Sequence, residues 1–216
     1  VGPTGNGKST LLRVLLRQVT PQSGTATWNG QPLDAYTLHA LRAAISWVPQ
    51  ESFLFSATIA DNIALARPGA TREDVERAAQ LADIHADILQ FPEGYQTHVG
   101  EKGITLSGGQ RQRVAIARAL LADNGLLLLD DALSAVDTGT ETRILQHLEE
   151  LRARRPERSA IIASHRLSAV VNADLILVMR DGHVTETGNH DALMQRDGWY
   201  ASQWRYQQLE ASLDAI

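Results

Sequence analysis

The sequence contains no cysteine, which excludes both a disulfide framework and a thiolate zinc site. It also lacks an excess of positive charge: the formal net charge is -5, so there is no basic footprint for nucleic acid. No apolar run approaches the ~18 residues that span a bilayer. What is present, 216 residues of which 44% are hydrophobic, is enough for one sizeable globular domain.

The start of the sequence is unusual. The first residue is Val1 rather than methionine, and the first motif begins at the next position. No signal peptide is visible. We therefore expect the sequence to be a fragment of a longer protein.

Apolar runs of strand length alternate with helical patterns. Continuous hydrophobicity predicts strands of a parallel sheet, buried on both faces, at residues 44–50, 126–130, 160–165 and 175–179. Helical periodicity predicts helices at residues 8–19, 71–90, 138–155 and 189–213, and an Asn-Gly turn predicts a hairpin at 25–33. The alternation indicates an α/β fold with a helical insert.

A glycine-rich loop opens the first helix. The letters GPTGNGKST match G-x-x-x-x-G-K-[ST]. The motif consists of Gly2, Pro3, Thr4, Gly5, Asn6, Gly7, Lys8, Ser9 and Thr10. Its glycines let successive N–H groups point at phosphate oxygens, and the helix adds its positive end. Lys8 can reach the β- and γ-phosphates and Ser9 can bind Mg²⁺. The alternative is a glycine-rich turn with a capping serine.

Two carboxylates end the leucine run at 126–130. Ligands of a parallel sheet lie beyond the carboxyl ends of its strands, where Asp130 is expected. A carboxylate at that place can bind Mg²⁺ directly or through water. The alternative role for Asp130 is to cap a helix.

The stretch TLSGGQRQRVAIARAL narrows the class of phosphate-binding protein. It contains Leu106 and, at the start of a predicted helix, Ser107, Gly108, Gly109 and Gln110. Here the chain resembles the nucleotide-binding domain of ABC transporters, whose signature is LSGGQ. The resemblance covers essentially the whole chain. It implies a P-loop NTPase (RecA-like) core with a small antiparallel β subdomain and an inserted α-helical subdomain. ATP and Mg²⁺ are the implied ligands, and the signature residues would contact the ATP of a facing subunit.

The resemblance also implies domain boundaries. The core would comprise residues 1–51 and 117–188. The helical subdomain with the signature would comprise 52–116, and a C-terminal helical segment would comprise 189–216.

Other family elements follow in sequence order. Gln50 is at the position of a glutamine that contacts Mg²⁺, and Glu101 is at that of a contact to the membrane domain. Ser134–Asp137 resembles a loop that crosses the dimer interface. His165 matches the switch histidine near the γ-phosphate. Without the resemblance, a lone glutamine at this place is more often a surface residue and a lone histidine is usually structural. The alternatives for the other two are a solvated loop at Glu101 and a helix cap at Asp137.

Asp131 departs from the family pattern, in which the residue after the metal aspartate is a glutamate that acts on the hydrolytic water. Aspartate is one methylene shorter, roughly 1.5 Å of reach, and proton abstraction requires hydrogen-bond distance. The resemblance implies catalytic roles for Asp131, His165 and Gln50, and the shorter reach of Asp131 predicts that it is a weak base. Mg²⁺ ligands are predicted at Ser9, Gln50 and Asp130.

Two further segments resemble the exporter branch of the family: FLFSATIADNIAL and GNHDALMQRDGWYASQWRYQQLEASL. The second segment resembles in particular the Mdl-type bacterial multidrug exporters, which pair two different half-transporters. The resemblance implies a transmembrane domain and a second half-transporter as partners, with no nucleic acid. It places the domain at the cytoplasmic face of a bacterial inner membrane. Heterodimers of this type often have one degenerate ATP site, and we expect it here.

Two alternatives remain open at this point. One is a regulatory subunit that binds ATP without hydrolysing it, which Asp131 would allow. The other is a soluble ABC-type ATPase that acts on nucleic acid or ribosomes. The short helical insert and the acidic charge balance argue against the second.

Overall fold

The computed structural model describes residues 1–100 and 104–213. The strands are β1 (Thr27–Trp28), β2 (Gln31–Pro32), β3 (Ile45–Val48), β4 (Ala57–Thr58), β5 (His98–Val99), β6 (Leu126–Asp130), β7 (Ser159–Ala163), β8 (Ile176–Arg180) and β9 (His183–Gly188). The helices are α1 (Lys8–Leu15), α2 (Leu38–Ala43), α3 (Ile59–Ala64), α4 (Arg72–Leu81), α5 (His85–Gln90), α6 (Gly108–Ala122), α7 (Thr138–Arg154), α8 (His190–Gln195) and α9 (Trp199–Leu213). Within these ranges no helix combines the length and the apolar character that crossing a bilayer requires.

The chain divides into two compact units. The first comprises Val1–Thr20 and Ile162–Ile216, and the second comprises Pro21–Ile161. The mixture of parallel and antiparallel strands with helices confirms the predicted α/β class.

A parallel sheet forms the centre of the second unit. Its strand order is β3-β6-β7, and β3 pairs in parallel with β6 from Ile45 opposite Leu126 to Val48 opposite Leu129. Val48 and Leu129 are fully buried, as continuous apolar strands in parallel sheets usually are. The runs at 44–50 and 126–130 were therefore predicted correctly, and the polar groups that follow each strand lie at one edge of the sheet.

The run at 175–179 differs from its prediction. It forms β8, which pairs antiparallel with β9 in the first unit. Asp181 and Gly182 join the two strands with φ angles of 50° and 77°, as a two-residue hairpin turn of mirror-image type requires. The N–H of Met179 also donates to the carbonyl of Val1 at 2.8 Å. The Asp-Gly pair was the available signal for this hairpin.

The helix predicted at 71–90 is interrupted. Its start is correct, because Thr71 and Asp74 form a capping box at the N-terminus of α4. Asp83, however, has a left-handed φ of 53° and separates α4 from α5. Arg143 of α7 donates to the Asp83 carboxylate at 2.8 and 3.0 Å, so a distant contact stabilises the break.

The C-terminal segment is also two helices instead of one. Asp197 has a φ of 53° and ends the first of them. The Glu186 carboxylate of β9 then accepts a 2.7 Å hydrogen bond from the N–H of Trp199 and caps α9. Similarly, α1 ends at Leu15 rather than near residue 19, and Arg17 beyond it has a φ of 50°.

Candidate functional site

The glycine-rich loop lies in the first unit and leads into α1. Gly5 and Gly7 have φ angles of 82° and 89°, a backbone region that residues other than glycine rarely occupy. The Lys8 ammonium donates to the carbonyls of Gly2 and Pro3 at 2.7 and 2.8 Å. The side chain of Lys8 therefore folds back over the loop, where it can meet an anion bound by the loop's N–H groups.

Neighbouring segments fix the start of this loop. A Cβ on Gly2 would lie 2.1 Å from the carbonyl oxygen of Met179 in β8, so no larger residue fits there. The Asn6 amide donates to the carbonyls of Pro3 and Thr4 at 3.2 and 3.3 Å. The loop is thus held by contacts on one side and opens at Thr4 and Gly5, which are exposed.

His165 also lies in the first unit, just after β7, and is exposed. Gln207 of α9 contacts the backbone around it at two points. Its amide donates to the carbonyl of His165 at 2.9 Å, and its oxygen accepts from the N–H of Leu167 at 2.9 Å. Sequence reasoning missed Gln207, because a glutamine in a polar helix carries no local signal of this contact.

In the second unit, Gln50, Asp130 and Asp131 lie at the same edge of the parallel sheet. Gln50 follows β3 and Asp130 ends β6, and Val48 and Leu129 just before them are register partners. Asp130 is buried, with 3% of its surface exposed, whereas Gln50 is exposed. The amide oxygen of Gln50 and the carboxylate of Asp130 are donors that suit Mg²⁺, as is the hydroxyl of Ser9 in the first unit.

Asp131 has a left-handed backbone, with a φ of 50°. Aspartate is among the few residues other than glycine that adopt this region readily. Its carbonyl accepts a 3.2 Å hydrogen bond from the N–H of Ser134, so a tight turn follows at once. The conformation gives a local reason for aspartate at this position, independent of its reach.

The signature residues open α6. Ser107 is the N-cap: its hydroxyl accepts from the N–H of Gln110 at 3.2 Å, and the Gln110 side chain accepts from the N–H of Ser107 at 3.0 Å. This capping box leaves the hydroxyl proton of Ser107 able to donate elsewhere, and Ser107 is exposed. Gly108 and Gly109 follow without side chains, so the positive end of a 15-residue helix is accessible to an anion.

A charged cluster supports this helix start from the side. Asp87 of α5 accepts from Gln110 at 3.2 Å and forms a salt bridge with Arg113 at 2.9 Å. Burial alone would raise the pKa of the Asp87 carboxyl, but the hydrogen bonds from Arg113 and Gln110 outweigh it and hold the pKa below its ordinary value. Gln110 of the signature is therefore hydrogen-bonded to Asp87, a residue outside the signature motif.

The loop Ser134–Asp137 ends at the N-terminus of α7. The Asp137 carboxylate accepts a 3.0 Å hydrogen bond from the N–H of Thr140 and caps that helix. This bond is the main reason that the pKa of Asp137 is lowered. The capping role that was the alternative for Asp137 is therefore present.

The remaining predicted contact, Glu101, lies outside the described residues. Across residues 1–100 and 104–213, no group of three or more histidine or acidic side chains is arranged to hold a metal ion.

The fold and the glycine-rich loop define the class of this protein: it is an α/β nucleotide-binding domain of the P-loop type. The comparisons narrow the class. Residues 1–134 match the family model described as ABC transporter, and the chain belongs to that family.

Similar proteins agree with this assignment. The chain is 51% identical to the multidrug resistance-like ATP-binding protein MdlA of Escherichia coli over 99% of its own length and 36% of that protein. It is 50% identical to human ATP-binding cassette sub-family B member 6 over 96% of its length and 24% of that protein. A solved bacterial Atm1-family ABC exporter with ATP bound matches 96% of this chain and 36% of its own, with a TM-score of 0.89 and 46% identity. The chain thus spans about a third or less of these relatives.

Proposed function

We propose that this chain is the ATP-binding and ATP-hydrolysing motor domain of an ABC exporter of multidrug or lipid-like substrates. The observation that carries the proposal is the capped start of α6, where the exposed Ser107 is followed by Gly108 and Gly109, in a chain that also has a phosphate loop. One chain then offers two separate anion-binding helix starts. This arrangement suits a dimer in which each nucleotide contacts the phosphate loop of one chain and the signature of the other.

We infer the roles of the remaining residues from the family to which the chain belongs and from their chemistry. The loop N–H groups and Lys8 would bind the phosphates, while Ser9, Gln50 and Asp130 would provide oxygen ligands to the Mg²⁺ of Mg-ATP. His165 would donate a hydrogen bond to the γ-phosphate, and Asp131 would position the attacking water. Glu101 would contact a transmembrane domain, with the motor domain at the cytoplasmic face of a bacterial inner membrane.

We further propose that the site containing Asp131 is the slower one of a heterodimer. The shorter side chain leaves the carboxylate roughly 1.5 Å farther from the water than a glutamate would, and a misplacement of about 1 Å can lower a rate about a hundredfold. The signature of this chain is intact and would complete the faster site on the nucleotide of the partner. This asymmetry would still let ATP binding at both sites close the dimer.

ATP turnover by the full-length transporter with its second half tests the proposal. We expect Asp131→Asn to retain most of the turnover, and removal of the corresponding acid in the second half to abolish it. Asp131→Glu is the matched variant, and it should raise turnover at this chain's own site. If Asp131→Asn alone abolishes turnover, Asp131 is the effective base and the proposed asymmetry is wrong. If the native pair binds ATP without hydrolysing it, the chain is a regulatory ATP-binding subunit.

A further inference from the structure

Gln112 in the second turn of α6 contacts the loop that follows Asp131. Its amide nitrogen donates to the hydroxyl of Ser134 at 3.2 Å, and its oxygen accepts from the N–H of Ala135 at 3.0 Å. The residue is buried, with 5% of its surface exposed. Both ends of a buried amide are therefore used on one loop, and water does not readily replace either bond.

The same loop also contacts the helix start directly. A Cβ on Gly109 would lie 2.7 Å from the carbonyl oxygen of Ala135, so the two backbones touch. The N–H of Val136 donates to the carbonyl of Leu133 at 3.2 Å within the loop. Ala135 in the middle of the loop therefore packs against α6, and the hydrogen bonds of Gln112 stabilise this contact.

We propose that Gln112 is a positioning residue that joins two surfaces of this chain, the signature at Ser107–Gly109 and the loop Ser134–Asp137, into one rigid element. The proposal rests on the function proposed above, in which Ser107 contacts the ATP of a facing subunit. A movement of α6 that follows ATP contact cannot leave the loop behind without breaking both amide bonds. Loss of these bonds would thereby displace Ser107 from the ATP of the facing subunit, which is the faster site in the proposed function.

A purely structural role for Gln112 makes a different prediction. In that case its loss would lower turnover only as far as it lowers the fraction of folded protein. A positioning role instead lowers kcat in protein that is fully folded and leaves KM for ATP nearly unchanged, because the residue does not touch the nucleotide. Steady-state measurements of kcat and KM therefore distinguish a positioning role of Gln112 from a purely structural one.

The experiment uses the full-length transporter with its second half. Gln112→Met keeps the length and volume of the side chain and removes both hydrogen bonds, whereas Gln112→Glu keeps acceptors for the N–H of Ala135 and the hydroxyl of Ser134. Ile144→Val, in the buried part of α7, controls for loss of stability. We expect Gln112→Met to lower kcat about tenfold with KM changed less than about twofold, a loss within the range for small displacements of reacting groups.

The two controls should behave differently from Gln112→Met. Gln112→Glu should recover kcat to within about threefold of the native value, and Ile144→Val should lower the melting temperature without lowering kcat. A native kcat in Gln112→Met, or a loss that Gln112→Glu does not recover, would overturn the inference.

A double-mutant cycle with Ser107→Ala tests the coupling itself. If Gln112 acts through the signature, Gln112→Met should lower kcat about tenfold in the native background but less than about twofold when Ser107→Ala is already present. Additive losses would overturn this inference and leave the proposed function standing. Native turnover in Ser107→Ala would overturn the proposed function, and this inference with it.

Discussion

The two signature glycines occupy adjacent positions in α6 but have different surroundings. A Cβ on Gly108 would lie 3.6 Å from the Cβ of Ala135, an ordinary contact, whereas a Cβ on Gly109 would lie 2.7 Å from the carbonyl oxygen of the same residue. Neither glycine has a positive φ, so backbone strain does not distinguish them. The pair Gly108→Ala and Gly109→Ala therefore isolates the effect of one close approach on stability.

The magnitudes follow from this geometry. Replacing glycine by alanine in a helix interior stabilises the folded protein by about 0.5–1 kcal/mol, and at the first two positions of α6 this is an upper limit that applies equally to both variants. Forcing an extra carbon into a packed site costs about 1–3 kcal/mol, and this loss applies only to Gly109→Ala. The free energies of unfolding of the two variants should thus differ by about 1–3 kcal/mol. For a chain of this length, that is a difference of about 2–12 °C in melting temperature.

Calorimetric unfolding of the two variants in the absence of nucleotide measures this difference, because bound ligand would stabilise each folded protein unequally. Gly108→Ala should melt at or above the native temperature, and Gly109→Ala below it. Equal melting temperatures, or a more stable Gly109→Ala, would mean that the loop at Ala135 moves away from α6 without resistance. That result would also contradict the rigid contact on which the role of Gln112 depends.

Two further predictions concern residues outside the nucleotide-binding motifs. Asn62 is buried and accepts hydrogen bonds from the N–H of Phe55 at 2.8 Å and the guanidinium of Arg118 at 3.0 Å. Asn62→Ala should therefore lower the free energy of unfolding, measured in urea, by about 2–4 kcal/mol. A decrease of less than about 1 kcal/mol would contradict this account. Burial raises the pKa of Tyr200 to about 12, whereas in the unfolded chain the tyrosine hydroxyl has its ordinary pKa of about 10. Because the unfolded chain loses this proton first, the free energy of unfolding should fall between pH 10 and 12. Tyr200→Phe should show a shallower fall over the same range, and an unchanged slope would refute the assignment.

Much of the local structure could be predicted from short-range patterns. The capping pair Thr71 and Asp74 and the Asn29-Gly30 turn between β1 and β2 are chemical signals that act over a few residues, and both were predicted correctly. The parallel strands β3 and β6 were predictable because burial on both faces requires continuous apolar runs.

The break in the helix predicted at 71–90 was not predictable, because its cause lies far along the chain. Residues 71–90 have the composition of one helix, and the turn at Asp83 is stabilised by Arg143, 60 positions away. The break before α9, by contrast, coincides with a local turn signal, Asp197-Gly198, and the Glu186 carboxylate of β9 caps the next helix by accepting from the N–H of Trp199. At residues 71–90, local propensity was overridden by a tertiary contact.

The residues of the candidate site likewise fall into two groups, those that a sequence motif predicts and those that only tertiary contacts reveal. The residues that would contact nucleotide, such as Lys8 and Ser107, lie in motifs whose spacing is dictated by phosphate geometry, and a single sequence contains that spacing. The residues that hold those motifs in place do not have to be near them in sequence. Asp87 fastens Gln110 from 23 positions away, and Gln112 fastens Ser134 from 22. A glutamine or aspartate on a helix has no distinguishing pattern until the partner is known, so the residues that hold these motifs in place are identified only by a structure.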